Sequence, residues 1–214
     1  MTKLTSILGA LATLSMATAA QAGPTNLGFE TGDLSGWTSG LSGGGTATVV
    51  QQLYGVDETG VRLPSRLDYR PQGGNWFLAI GTGEADTAQT VSQTFSLWAG
   101  QTISGRAAFD WGEGGQFDGA KVEIYDASNN LLSTAFSSDG AGQAAGYDGA
   151  WTDWSFTAAS LGSYTLKFSA FNTGNDSGTS YGYFDVNAVP EPGSLALVSL
   201  ALAGVGFVRR RQRD

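Results

Sequence analysis

The sequence has no cysteine and no histidine among its 214 residues. Their absence excludes Ser-His-Asp and Cys-His catalysis, thiolate chemistry and histidine metal sites. It also means that the core must be stable without disulfide bonds. Charged residues make up only 14% of the chain, and Asp and Glu (19) outnumber Lys and Arg (11). A net charge of −8 argues against nucleic-acid binding, which requires a clustered basic surface.

Glycine is abundant instead, with 32 residues, roughly twice the usual share of ~7%. A chain of this length forms one domain of ordinary size. High glycine content with few charges favours short strands joined by glycine turns over long helices.

The first 22 residues have the three parts of a secretory signal peptide. Lys3 precedes an apolar stretch over residues 8–20, and Ala20 and Ala22 form a small-x-small cleavage site. We expect cleavage before Gly23, so that the protein is exported; a buried N-terminal helix is the alternative.

The C-terminus has the composition of one short transmembrane helix. Residues 194–208 carry no charge and are followed directly by Arg209, Arg210 and Arg211. At a rise of about 1.5 Å per residue this run reaches ~22 Å, a minimal span of the ~30 Å hydrocarbon layer. The arginines would stay on the cytoplasmic side and place the rest of the chain outside. A core helix is the alternative, but this run has no polar face to expose.

The segment Val189-Pro190-Glu191-Pro192 lies just before this run, so a motif, an apolar run and an arginine cluster follow one another over the last 26 residues. This order resembles the PEP-CTERM sorting signal of exported proteins in Gram-negative bacteria. The resemblance implies that an exosortase, a membrane protease-transpeptidase, recognises the segment after export and releases or transfers the protein to the cell surface. Such proteins often accompany exopolysaccharide production. Two prolines beside Glu191 also block helix continuation and keep the segment accessible.

Residues 23–188 remain as the exported domain. They hold six basic and 17 acidic residues, so their net charge is −11. This charge favours divalent cations or neutral partners over anionic ones.

Apolar and polar residues alternate along several segments of this domain, as half-buried strands require. In residues 101–111, Ile103, Ala107, Phe109 and Trp111 share one face. Further strands are predicted at residues 46–53, 75–80, 87–95, 121–125, 131–136, 153–156, 164–170 and 181–186. About nine short strands without a helical period predict an all-β fold, an antiparallel β-sandwich of the jelly-roll type.

The two ends of the domain carry a second resemblance. It opens with Asn26-Leu27-Gly28-Phe29-Glu30, reaches Trp37 shortly after, and closes with Tyr181-Gly182-Tyr183-Phe184-Asp185-Val186. These motifs are similar to the ends of carbohydrate-binding-module-like, galactose-binding-like jelly rolls. The residue after Asp185 departs from that pattern, which commonly has a second Asp or an Asn there.

This resemblance implies that the first and last strands lie side by side and share a structural Ca²⁺ ion. Residue by residue it assigns Glu30 and Asp185 as ligands, with backbone carbonyls supplying further oxygens. Ca²⁺ takes six to eight oxygen ligands, and a site that ties the chain ends together would stabilise a fold without disulfides. In the alternative, Glu30 lies in a solvated turn and Asp185 accepts hydrogen bonds from turn amides.

Carboxylates are the remaining candidates for catalysis. Asp110, Glu113 and Asp118 surround a glycine loop and could in principle act as the acid and base of a glycoside hydrolase. Loop solvation or cation binding is the favoured interpretation, because the sequence shows no sign of a cleft, and we expect no enzymatic activity.

Aromatic residues are the other candidates, because sugar rings stack on exposed aromatic faces. Most aromatic side chains fall on the apolar phase of their strands and are predicted to be core residues, namely Phe109, Trp111, Trp154, Phe156 and Phe168. Tyr147 and Trp151 share one long loop and are the predicted ligand-binding residues. An incidental surface position is the alternative for both.

Three hypotheses follow. The first is a non-enzymatic surface or matrix protein that binds exopolysaccharide or another glycan. The second is a structural surface protein without a small ligand, and the third is a carboxylate glycosidase.

Overall fold

The computed structural model describes residues 23–57, 59, 61–112, 118–139, 146–174 and 178–187. The predicted signal peptide (1–22), the predicted sorting segment (189–214) and Glu113 lie outside these ranges. Within the described part of the chain, no helix is long and apolar enough to cross a membrane.

Within the described ranges, ten strands form two antiparallel sheets. The first sheet has the order β1 (Thr38–Gly40), β6 (Ala88–Leu97), β11 (Gly162–Phe171), β8 (Gly119–Asp126) and β9 (Leu131–Ser138). The second has the order β10 (Thr152–Thr157), β7 (Thr102–Asp110), β12 (Tyr181–Val186), β5 (Phe77–Gly81) and β2 (Thr46–Val50). The predicted all-β jelly-roll sandwich is confirmed.

The main core lies between the two sheets. Alternation puts Ile103, Ala107 and Phe109 of β7 in this core, where all three are buried. Phe168 of β11 lies near its centre, because its ring contacts the rings of Phe29, Trp37, Trp154 and Phe184. Packing of aromatic rings from both sheets and from the opening turn therefore holds the sandwich together.

A second apolar cluster lies on the opposite face of the second sheet. Its fully buried members are Tyr69, Phe77, Ala79, Ala108 and Tyr183. Tyr69 comes from residues 51–70, which we call the cover segment. This segment contains a two-stranded ribbon of β3 (Leu53–Tyr54) and β4 (Asp68–Tyr69), which the sequence did not predict.

The first and last strands are not neighbours, so this expectation is wrong. β1 pairs with β6 in the first sheet, whereas β12 lies between β5 and β7 in the second. The opening turn of the domain contacts its last strand instead. A Cβ atom at Gly28 would lie only 2.9 Å from the carbonyl oxygen of Val186. Glycine at this position allows the turn to lie directly on β12.

Candidate functional site

The opening turn is held by the side chain of Asn26. Its amide donates to the carbonyl oxygens of Asp33 (2.9 Å) and Ser35 (3.3 Å), and its Oδ1 accepts from the amide of Thr31 (3.0 Å). The Asn26 carbonyl also accepts from the indole of Trp37, 2.9 Å away. Trp37 stacks on Phe29 with ring centroids 4.9 Å apart. The opening motif is thus a structural unit that fixes the position of the residue after Phe29, which is Glu30.

The Glu30 carboxylate lies against the turn that leads into β5. Its oxygens accept from the amide of Asn75 (3.0 and 3.1 Å) and from the amide of Trp76 (3.3 Å). Gly74 has a positive φ of 74°, and a Cβ atom there would collide with the Glu30 carboxylate. A glycine at position 74 is therefore required for this approach.

The Asp185 carboxylate lies against the same turn from the other side. Its Oδ2 accepts from the amides of Gln72 (2.5 Å) and Gly73 (2.9 Å). Its Oδ1 is buried and has no hydrogen-bond partner among the described residues. Burial, and to a smaller extent the nearby charge of Glu30, raises the pKa of Asp185.

Glu30 and Asp185 are therefore brought together on one turn, residues 72–76. Both carboxylates accept hydrogen bonds from backbone amides of this turn, as expected for Asp185 if no ion is bound. Asp185 also retains one buried oxygen without a partner among the described residues. No group of three or more acidic residues that could hold a metal occurs in the described ranges. A cation at Glu30 and Asp185 would therefore need carbonyl oxygens as well.

Trp151 lies at the margin of the second apolar cluster. Its ring contacts Phe77 and Tyr69 in edge arrangements, with centroids 5.7 and 6.1 Å apart, and it also approaches Tyr183. The side chain is half-buried, and its Nε1 has no hydrogen-bond partner in the described part of the chain. Three aromatic neighbours hold this ring in place.

Tyr147 is the more accessible of the two predicted ligand-binding residues, with 43% of its surface exposed. Its ring packs on Trp111, 5.8 Å away between centroids, and its carbonyl accepts from the amide of Trp111. Tyr147 and Trp151 are therefore close in sequence but pack on different residues, Tyr147 on Trp111 and Trp151 on the second apolar cluster.

Asp110 and Asp148 form a pair of carboxylates beneath the cover segment. The amides of Trp111 and Gly149 donate to the carbonyls of Tyr147 and Phe109, so Asp110 and Asp148 face each other in a non-hydrogen-bonded antiparallel pair. Side chains in such a pair lie on the same face and close together.

Each carboxylate of this pair binds the cover segment through one oxygen. Asp110 Oδ2 accepts from the amide of Val56 (2.9 Å) and the hydroxyl of Tyr183 (3.1 Å), and Asp148 Oδ2 accepts from the amide of Leu67 (3.1 Å). The Oδ1 atoms of both are buried without a hydrogen-bond partner among the described residues. Burial, with a smaller contribution from Asp148, raises the pKa of Asp110 to about 7.

Of the residues considered for catalysis, Asp110 and Asp118 are both fully buried. Asp118 accepts from the amide of Thr173 (3.0 Å) and the hydroxyl of Ser180 (2.9 Å). Both carboxylates thus tie loops to strands in this conformation.

Arg62 makes polar contacts that the sequence did not predict. Its Nη1 donates to the Tyr54 carbonyl (2.6 Å) and the Tyr183 hydroxyl (3.1 Å), and its guanidinium lies 4.0 Å from the centre of the Tyr181 ring. The sequence gives one indication of these contacts. Tyr181, Tyr183 and Asp185 alternate along β12, so all three lie on the outer face of the sheet, where Arg62 contacts the two tyrosines.

Comparison with known proteins identifies the C-terminal segment. Residues 188–212 match the PEP-CTERM protein-sorting motif. No curated protein matches the sequence.

Several solved structures are similar to the chain, carbohydrate-binding modules among them. TmCBM61 in complex with beta-1,4-galactotriose matches with 17% identity and a TM-score of 0.42, over 75% of this chain and 91% of that one. A family 16 carbohydrate-binding module matches with 14% identity and a TM-score of 0.41, over 78% and 99%. The K3 cleaved adhesin domain of Lys-gingipain from Porphyromonas gingivalis W83 matches with 15% identity and a TM-score of 0.46, over 78% and 96%.

Proposed function

We propose that this chain, which carries a PEP-CTERM sorting motif at residues 188–212, is a non-enzymatic surface or extracellular-matrix protein of a Gram-negative bacterium. The motif is the observation that supports this proposal most strongly. In the proposed sequence of events, the signal peptide directs export and the run at residues 194–208 holds the chain in the inner membrane. An exosortase then acts near Val189-Pro190-Glu191-Pro192 and delivers the jelly-roll domain to the cell surface.

The jelly-roll domain is proposed to bind a neutral glycan at Tyr147 and Trp151. A sugar ring needs an aromatic face that keeps its orientation, and the contacts of Trp151 with Tyr69 and Phe77 supply such rigidity. The indole Nε1 of Trp151 is buried, so a sugar would contact the exposed part of this half-buried ring rather than its N–H group. The net charge of −11 for residues 23–188 favours a neutral polysaccharide over an acidic one.

Binding to immobilised polysaccharides tests the glycan proposal. Tyr147→Ala removes the more exposed ring, and Trp151→Phe keeps an aromatic packing partner while reducing the ring surface that a sugar could contact. We expect each change to weaken binding, whereas Trp98→Ala, which removes an equally exposed ring next to a different strand, leaves it unchanged. Equal binding by all four proteins at unchanged melting temperature would favour the structural hypothesis without a small ligand.

Ca²⁺ is proposed to bind between Glu30 and Asp185 as a structural ion. The unpartnered, buried Oδ1 of Asp185 and the Glu30 carboxylate on the same turn support this proposal. These residues would supply carboxylate oxygens, backbone carbonyls would supply others, and the ion would offset the repulsion between the two charges. It would thereby hold the opening turn and β12 on the turn at residues 72–76.

A further inference from the structure

The described chain ends beside the start of β7. β12 ends at Val186, and the amide of Asn187 donates to the carbonyl of Ser104 (2.9 Å). Only the six residues 188–193 then precede the uncharged run at 194–208. Six residues span at most about 20 Å when fully extended. A chain anchored through that run therefore keeps this end of the sandwich, which we call the exit end, close to the bilayer.

Four exposed apolar side chains lie at the exit end, and we call them the apolar rim. They are Trp98, Leu131, Leu132 and Leu161, and each is exposed over 45% to 51% of its surface. Isolated exposed apolar residues are ordinary, but these four come from neighbouring turns and strand ends of one sheet.

Strand register places the rim residues close together. Leu97 of β6 pairs with Gly162 of β11, so Trp98 and Leu161 lie one position beyond this pair. β8 lies next to β11, and β9 begins at Leu131 on the far side of β8. Neighbouring strands are about 4.8 Å apart, so the rim extends over roughly three strand spacings.

Backbone hydrogen bonds join the rim to the exit point. The amide of Gly100 donates to the carbonyl oxygen of Ala158 (2.7 Å), and the amide of Ala158 donates to the carbonyl oxygen of Gln101 (2.9 Å). Gln101 directly precedes β7, the strand that receives the amide of Asn187. The rim and the point where the chain leaves therefore belong to the same end.

The connections that carry the rim are uncharged, although the exported domain is strongly acidic. Residues 98–101, 127–132 and 158–161 contain no Lys, Arg, Asp or Glu. Asp126, at the base of the β8–β9 turn, is engaged by the amides of Ser128 and Asn130 (both 2.8 Å). An acidic surface is repelled by anionic lipid headgroups, whereas Trp and Leu without nearby charges are stable at the boundary between headgroups and acyl chains.

We infer that the apolar rim rests on the membrane surface while the C-terminal run anchors the chain. This inference rests on the proposed membrane anchoring before exosortase processing. The rim would orient the sandwich on the bilayer with its exit end towards the membrane.

The absence of cysteine allows a direct test with single-cysteine variants. Residues 23–214 with Leu161→Cys, labelled with an environment-sensitive fluorophore, are reconstituted into vesicles of phosphatidylethanolamine and phosphatidylglycerol. Leu41→Cys is the matched control, because Leu41 is 45% exposed and follows β1 at the other end of the sandwich. We expect the label at position 161 to shift to shorter wavelength and to be quenched by doxyl-labelled lipids, and the label at position 41 to do neither.

Two readouts separate this inference from the anchoring on which it rests. If the chain floats with the vesicles but the label at position 161 stays in water, the rim inference fails and anchoring stands. If the chain does not float, anchoring fails and the inference fails with it. A label at position 161 that is already shielded without lipid would show that protein covers the rim, and this too would contradict the inference.

Discussion

At the scale of single residues, the pair of Asp110 and Asp148 is the feature with the clearest consequence for stability. Two like charges face each other beneath the cover segment, and each leaves one buried oxygen without a partner. Such a pair is destabilised when both carboxyls are charged and is relieved when one takes up a proton.

The pH dependence of stability follows from the raised pKa of Asp110. In the folded state this pKa is about 7, above the ordinary aspartate pKa of 3.8 that applies to the unfolded chain. The folded protein therefore binds more protons than the unfolded chain between these values. As pH falls from about 7 towards 4, this group increases the free energy of unfolding by up to about 1.4 kcal/mol per pH unit. Melting curves across this range measure the effect.

Asp110→Asn is the matched control for this pH effect. Its amide oxygen can still accept from the amide of Val56, but the side chain no longer titrates. We expect the variant to be at least as stable as the wild type at pH 8 and to lose most of the gain on acidification. The raised pKa of Asp185 acts in the same direction and remains in the variant. An unchanged pH profile would show that Asp110 does not titrate in this range.

Calcium dependence is the second residue-scale prediction. With free Ca²⁺ at 100 times its dissociation constant, binding adds about 2.7 kcal/mol, which corresponds to roughly 5–10 °C in melting temperature for a domain of this size. EDTA should lower the melting temperature of the calcium-loaded protein accordingly. The effect should shrink at acidic pH, because the raised pKa of Asp185 makes protonation compete with the ion.

Three variants make the calcium test specific. Glu30→Gln and Asp185→Asn remove ligands, and Gly74→Ala pushes a methyl group onto the Glu30 carboxylate. Each should abolish the response to EDTA, whereas Asp153→Asn, on the surface beside Arg106, should keep it. A wild-type melting temperature that is indifferent to EDTA after calcium loading contradicts the proposal.

At the residue scale, alternation predicts which face of a strand a side chain occupies, but it does not predict whether that face is covered. Alternation assigned Asp110 to the face of β7 opposite the core, and it lies there. Periodicity carries no information about what covers that face, so the burial of Asp110 under Val56 was not predictable. The predicted convergence of Glu30 and Asp185 came from motif resemblance, because the two are far apart in sequence and meet only through the fold.

At the scale of elements, the strands with clear alternation were predicted well and the shortest ones were missed. The predicted strand at 181–186 coincides with β12, and the one at 164–170 lies within β11. β1, β3 and β4 have only two or three residues each, too few to establish a period of two. Their positions depend on tertiary contacts, such as the packing of Tyr69 on Tyr183 with ring centroids 4.0 Å apart.

The cover segment gives a prediction at this scale. Tyr69 is fully buried, so Tyr69→Ala should destabilise the protein by about 3–5 kcal/mol through the lost aromatic packing and the cavity it leaves. Arg62 and Arg66 lie in the cover segment and are each followed by leucine, so trypsin should cleave there sooner in the variant.

Tyr69→Phe is the control for the cover segment. It retains the ring and removes only the hydroxyl, which donates to the Gly149 carbonyl at 2.9 Å. A loss of about 1 kcal/mol is expected, with little change in tryptic cleavage. If both variants were cleaved at the wild-type rate, Tyr69 would not be what holds the segment down.

At the scale of the whole molecule, the charged residues are distributed unevenly between the central domain and the two terminal segments. Five of the eleven basic residues lie in the two terminal segments, so the exported domain is more acidic than the full chain. The low charge content of the full chain thus averages an acidic sandwich with two apolar terminal segments. This separation, and the sorting motif itself, were readable from sequence because targeting signals act through local composition and order rather than through a fold.

The most direct test of the central claim is the location of the protein with and without its C-terminal signal. The full chain and a variant lacking residues 194–214 are expressed in a Gram-negative host that has an exosortase, and both are followed by antibody labelling of intact cells and by mass. We expect the full chain to reach the surface in a form shortened near residues 189–193, and the truncated variant to remain unprocessed in the periplasm or medium. A full chain that keeps residues 194–214 and reaches the same location as the truncated variant would contradict sorting through this motif.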